Sequence, residues 1–285
     1  MSRKDQVWNY DYRRFLDLCS TADIQEQRAR MLEQYAKLTK QWTVEVNSEW
    51  TCRLYFATKM ILNATVLLNS KAFATNLGMR TANPYFEYYA AFSLMRGLVS
   101  TLPTESWQCG RIFEISHSKA INVAFDWLAK FNRVKAFELK KLSMQLKAQR
   151  ELVAYRAPAS GARSLGDNYD LEELLVLLAE AAQFNSEILE QSVEKNANPL
   201  VFEVLQEHIS AVADVSIEGY QFIDREDLHR LDYVRRKIGR PYSLALFMTE
   251  GQTEDFIGSW DGDEDAGEVF SNGSPSNWQA IFDIP

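Results

Sequence analysis

Apolar residues along this chain recur mainly every three to four positions, the spacing of helices that bury one face. Ser20 and Asp23 form a capping box, and after them Ile24, Met31, Leu32, Tyr35, Leu38 and Trp42 share a face. A second stripe, Trp50, Leu54, Ala57, Ile61, Ala64 and Leu68, runs out near Gly78. Asn83-Pro84 predicts a third start, Asn as cap and Pro in the first turn, with the helix stopping before Pro103. Ser118 is the expected cap of a shorter helix through Ala124, Phe125 and Leu128.

A long helix is expected from Arg133 to Tyr155, with Val134, Phe137, Leu142, Leu146 and Val153 inward, broken at Ala157-Pro158 because a residue before Pro leaves helical geometry. Asp167 to Asn196 reads as another long helix with an acidic outer face. Asn198-Pro199 opens a helix to about Ala213, and Asp224 opens one ending at Gly239. Only Tyr242–Met248 reads as a strand. The predicted fold is mainly α. A bundle of about seven or eight helices covers 1–249, with a possible subdivision near 160–167, and an acidic, mostly irregular tail covers 250–285.

An apolar share of 46% is ample for a packed core and excludes global disorder. The net charge of −8 hides a strong partition. Residues 111–163 hold eleven Lys/Arg against four Asp/Glu, 164–218 hold one against twelve, and 250–285 hold nine acids and no base. Such acidity disfavours broad affinity for nucleic acid while leaving room for a local basic site on 111–163. Cys19, Cys52 and Cys109 lack zinc or disulfide spacing, so reduced thiols are expected. The first residues lack a signal-peptide pattern, and the strongest apolar run, Leu174–Ala179, is far short of the roughly 20 residues that cross a bilayer. A cytoplasmic chain with no membrane span is the expectation.

Most motifs dissolve on inspection. Ala162 to Gly166 echoes a nucleophile elbow around Ser164, but a helix precedes it where that motif needs a strand. Ser116 to Lys119 matches SxxK without its companion motifs. Asp261 to Asp265 resembles the start of a calcium loop, yet Ala266 and Asn272 stand where Gly and Glu are required. His117, His208 and His229 have no metal-binding spacing, and no Gly-rich nucleotide loop occurs. No metal and no cofactor is expected.

The stretch Lys147-Ala-Gln-Arg150-Glu-Leu-Val-Ala-Tyr155-Arg156-Ala-Pro, late in an all-α bundle, resembles a degenerate signature of the HEPN family, over about residues 20–160. That family is helical, its hallmark is an Arg followed after four to six residues by a His, and many members are dimeric ribonucleases. Here Tyr155, Arg156 and Ala157 fill the places where the His would stand. Tyr, with a pKa near 10, and Arg, always protonated, replace a neutral-pH proton carrier badly. Phosphate binding through the forked donors of Arg150 and Arg156 is the half of the chemistry that survives.

The favoured reading is therefore a non-enzymatic interaction module that assembles with itself or a partner protein through Lys140, Lys141, Lys147, Arg150, Arg156 and Arg163. The alternative is a metal-independent HEPN-type ribonuclease, or an RNA-binding protein, using Arg150, Tyr155 and Arg156. The C-terminal acids are interleaved with Phe256, Ile257, Trp260, Phe270, Trp278, Ile281 and Phe282. A purely solvating tail would have few aromatics, so this one is expected to dock, on its own body or on another chain.

Overall fold

The computed structural model describes residues 10–18, 20–161 and 170–260. Ten α-helices and one β-hairpin make up the regular structure among these residues. The bundle is built on α1 (Thr21–Thr39), α2 (Val44–Asn76), α3 (Asn83–Ser100), α4 (His117–Leu128), α5 (Arg133–Arg156) and α6 (Leu171–Asn196). Beyond it lie α7 (Gln206–Ala213), the hairpin β1 (Asp214–Ile217) and β2 (Tyr220–Ile223), α8 (Arg225–Lys237), α9 (Leu244–Phe247) and α10 (Thr253–Gly258).

The first two predicted stripes pack as their spacing requires. Ser20 Oγ accepts from the Asp23 amide, and Ile24, Met31 and Tyr35 of α1 are buried. On α2, Trp50, Leu54, Ala57, Ile61 and Ala64 all enter the core. α3 lies along α2 closely enough that a Cβ at Gly97 would sit 3.3 Å from the Ala57 carbonyl. Arg53, 1% exposed, ties this pair to the loop after α3. Its guanidinium donates to the carbonyls of Ser100, Leu102 and Glu105 at 2.5–3.0 Å, pairs with Glu49 at 2.9 Å and lies over Trp50. A buried cation is tolerated because nearly every donor has an acceptor.

The main core runs from Tyr10 to Met248 and draws on both sides of 160–167. A second cluster joins Cys52, Tyr55, Phe56 and Met60 of α2 to Trp107, Phe113, Ile209, Val212 and Leu231.

Several expectations change. Ser116 rather than Ser118 caps α4, accepting from the Lys119 amide, while Lys119 Nζ pairs with Glu105 at 3.3 Å; the SxxK pattern is a helix cap. Asn83 lies inside α3 and bonds Thr75 instead of capping. Asn198-Pro199 opens only a 3-10 turn, Pro199–Val201, and α7 starts at Gln206. The hairpin was not foreseen. Its two-residue turn, Glu218-Gly219, has φ of 50° and 87°, the geometry that twists two strands together, and its strands are exposed throughout.

The strand expected over Tyr242–Met248 does not form: from Leu244 onward this stretch is helical, and the cause is α6. Glu190, Ser186 and Gln183, on one face of α6, accept from the amides of Ser243, Leu244 and Ala245 at 3.2, 3.1 and 3.0 Å. Those are the orphan donors of the first turn of α9, so side chains distant in sequence cap it. A five-residue π-turn, Met248–Gln252, then leads into α10, which Arg230 anchors through Asp255 at 2.8 Å. The packed body thus continues past 249, and Gln252 and Thr253 are buried.

Candidate functional site

α5 is held by Asn132, whose Oδ1 accepts from the Lys135 amide, and ends where Ala157 takes a left-handed conformation at φ 40° before Pro158. Its inner face is Ala136, Leu139, Ser143, Leu146 and Gln149. Two of the apolar residues expected inward instead face out. Val134 is 71% exposed and Phe137 70%, joined by Met144 at 58% and Tyr155 at 75%. Their spacing, with Lys141 and Ala148 between, follows the three-and-four alternation of a helix-packing seam. The prediction inverted because both faces of α5 carry an apolar stripe, and the chain uses the smaller-residue one to approach α3 and α4.

The basic residues do not gather on one open surface. Lys141 and Arg156 are exposed. Lys140 leans on α4, 3.7 Å from Asp126, and Lys147 stands 3.8 Å from Glu151. Arg150 turns inward, 13% exposed, with its guanidinium over the rings of Tyr88 and Tyr89 and 3.4 Å from Glu151. Arg150 and Arg156 therefore do not form a joint phosphate clamp. Arg163 and the Ser164 loop lie outside the described residues, as do Cys19, the Asp261 run and the aromatics beyond Trp260.

What the fold adds is a histidine. His117, at the first turn of α4, stacks on Phe92 of α3 at 4.0 Å and 7°, and its Nδ1 is hydrogen-bonded to the Tyr88 hydroxyl. Burial, then Arg150, Lys147 and Arg96, hold its pKa below the ordinary imidazole range, against a smaller opposing pull from Glu151. Burial pushes the Tyr88 phenol up to about 12, against the pull of Arg150. Below that the phenol keeps its proton, and when it donates to Nδ1 the ring proton sits on Nε2 as a donor. With Arg150 and Lys147 nearby, such a grouping suits holding an anion more than removing a proton.

Beside it, between α4 and α5, runs an open groove of about 270 Å³ lined by Ser118, Ile121, Asn122, Met144, Lys147, Ala148 and Glu151. Met144 and Ala148 of the seam thus share this groove with Lys147, one of the cations that act on His117. No sequence signal pointed to His117, because its partners come from α3 and α5.

The other histidines have separate settings. His208 stacks on Trp107, and His229 is exposed on α8. Among the described residues no group of His, Cys, Asp and Glu is arranged to hold a metal ion, and no helix is long and apolar enough to cross a membrane. Comparison with protein-family models, with curated proteins and with solved structures found no match.

Proposed function

We propose that this chain is a non-enzymatic helical interaction module, a degenerate HEPN-like protein that assembles with itself or a partner protein through the outward face of α5. The observation that carries this reading is the exposed seam of Val134, Phe137, Met144 and Tyr155. Large apolar side chains aligned on one helix are costly to leave in water, and contiguous ones mark contact surfaces. Three cations of α5, Arg133, Lys141 and Arg156, are exposed on the same helix, and these would steer an acidic partner into register while the apolar centre supplies affinity.

The test is a photo-crosslinking residue placed at position 137 of the full chain, in purified protein and in the host cell. The expected result is a protein adduct that disappears when Met144→Asp and Tyr155→Asp are added. No protein adduct under either condition overturns the reading.

A second reading, an RNA-binding protein or HEPN-type ribonuclease, is favoured by one feature: His117 stands beside Arg150, supplying from α4 the residue type that the α5 motif lacks. Phosphate contacts on single strands would lower log affinity against log salt with a slope of roughly −0.7 per neutralised phosphate. No RNA binding at low salt removes this reading. RNA cleavage that survives both His117→Ala and Arg150→Ala would place any activity elsewhere.

A further inference from the structure

A cavity of about 210 Å³ lies between α2, the start of α8 and α10, and none of its lining residues belongs to α5. It is smaller than the roughly 300–1,000 Å³ of drug-sized pockets, so it suits a ligand about as large as one amino-acid residue. Gln252, the last residue of the π-turn Met248–Gln252, lines it and is 3% exposed. Among the described residues neither its Nε2 nor its Oε1 has a hydrogen-bond partner. A buried carboxamide left unbonded is destabilising, so its donor and acceptor together point to a group that completes both. π-turns also gather at functional sites.

The charges around Gln252 do not balance. Asp227, 2% exposed, has both carboxylate oxygens occupied: the Tyr55 hydroxyl donates to Oδ1 at 2.7 Å, and Lys59 Nζ donates to Oδ2. Arg230 pairs with Asp255 at 2.8 Å. Each cation lining the cavity thus has its own carboxylate. Asp224 and Glu226 also line it, are exposed, and have no cationic partner among the described residues. Asp224 Oδ1 caps α8 by accepting from the Asp227 amide at 3.0 Å. Two negative charges are therefore in excess. Phe256, half-buried, and Trp260, 57% exposed, add aromatic faces that favour both carbon and a cation.

We infer that this cavity binds a protonated primary amine with an amide beside it, the chemistry shared by an amino-acid amide and a free peptide N-terminus. The ammonium is drawn to Asp224 and Glu226. The neighbouring amide satisfies Gln252 on both sides, its N–H donating to Oε1 and its carbonyl accepting from Nε2. An apolar first side chain lies against Phe256 and Trp260. Other chemistries fit less well. An amine alone, or a metal ion, has nothing to accept from Nε2. A free carboxylate would accept from Nε2 but bring a third negative charge beside two that are uncompensated. The cavity shares no residue with the outward face of α5, so it stands or falls apart from the proposed function.

The experiment is calorimetric titration of the full chain with leucinamide, with the Gln252 side-chain amide signals followed by NMR. The expected dissociation constant is about 1 mM or tighter, as suits so small a ligand, and the Gln252 signals should shift. Isopentylamine, which lacks the amide, and N-acetyl-leucinamide, which lacks the charge, should each bind about tenfold more weakly or worse. Equal binding by either probe overturns the inference, as does binding of magnesium ion at the Gln252 signals without binding of leucinamide. A Leu-Gly-Gly peptide separates the sources. Binding like leucinamide supports capture of a chain N-terminus, and much weaker binding supports a free small amide. The variant pair Asp224→Asn and Glu226→Gln keeps a capping side chain on α8 and should weaken leucinamide about tenfold or more. Gln252→Leu should abolish binding while the chain melts at or above the wild-type temperature, since an unbonded amide is replaced by an apolar side chain. Melting lower by more than about 4 °C would mean that the body itself holds this amide, and would overturn the inference.

Discussion

α5 and α6 are long helices of similar length, 24 and 26 residues, and opposite charge, yet the fold uses their charges in opposite ways. On α6 three of the acids, Glu180, Glu187 and Glu190, go inside. Glu180 is fully buried and accepts from the amides of Arg13, Arg14 and Phe15 at 2.8, 2.9 and 2.7 Å, organising the segment before α1. Gln183, Ser186 and Glu190 cap α9. The acidic outer face expected for α6 is thus replaced by a helix buried nearly all round from Leu174 to Val193, its polar groups spent on distant backbone. α5 keeps Arg133, Lys141, Arg156 and a row of apolar side chains outside. A charged helix is a surface feature only when nothing in the fold claims its charge.

The sharpest way to break this comparison is Glu180→Ala. Three amides would lose their acceptor, and a loss of about 3 kcal/mol or more is expected in denaturant unfolding. A loss under about 1 kcal/mol would show that the buried acid is not the organiser claimed for it. Gln183→Leu should cost less, about 1–3 kcal/mol, through the unpaired Ala245 amide and the lost bond to Glu187, with faster exchange in α9. On α5 the same chemistry should matter little to stability. Phe137→Ser or Tyr155→Ser should stay within about 0.5 kcal/mol of wild type, as exposed sites do. A large cost would place that face inside the body.

The smallest effect concerns His117. Its NMR titration midpoint should lie below the unperturbed 6.5 and rise in Arg150→Ala, because a positive neighbour is removed. Because the fold favours the neutral ring, this group's contribution to stability is full above about pH 6.5. It is lost as pH falls from there toward the folded midpoint, where the unfolded chain binds the proton more readily. An unchanged midpoint in Arg150→Ala would separate the histidine from the α5 cations.

Much of the fold was legible in the chain. The 3.6-residue period located the α1 and α2 faces, and the Ser20–Asp23 box fixed the start of α1, since local side chains and backbone decide both. Asp224 and Gly239 bracketed α8, with Gly239 at φ 72° satisfying the end of the helix through the Val234 carbonyl at 2.9 Å. Where two answers were locally equivalent, the sequence ran out. α5 has two apolar stripes, and the choice between them depends on which fits against α3 and α4. Tyr242–Met248 is apolar enough for a strand, and the acceptors on α6 turn Leu244–Phe247 into a helix instead.

The sequence by itself determined a mainly helical chain, the positions of its strongest caps and the partition of its charge. These are set by neighbours within about one turn. Tertiary structure alone decided that Glu180, Glu187 and Glu190 of α6 are internal, that Arg150 lies on Tyr88 and Tyr89 rather than beside Arg156, and that His117 joins them from another helix. Each depends on contacts between residues far apart along the chain, and burial, not spacing, sets which charges are left for a partner.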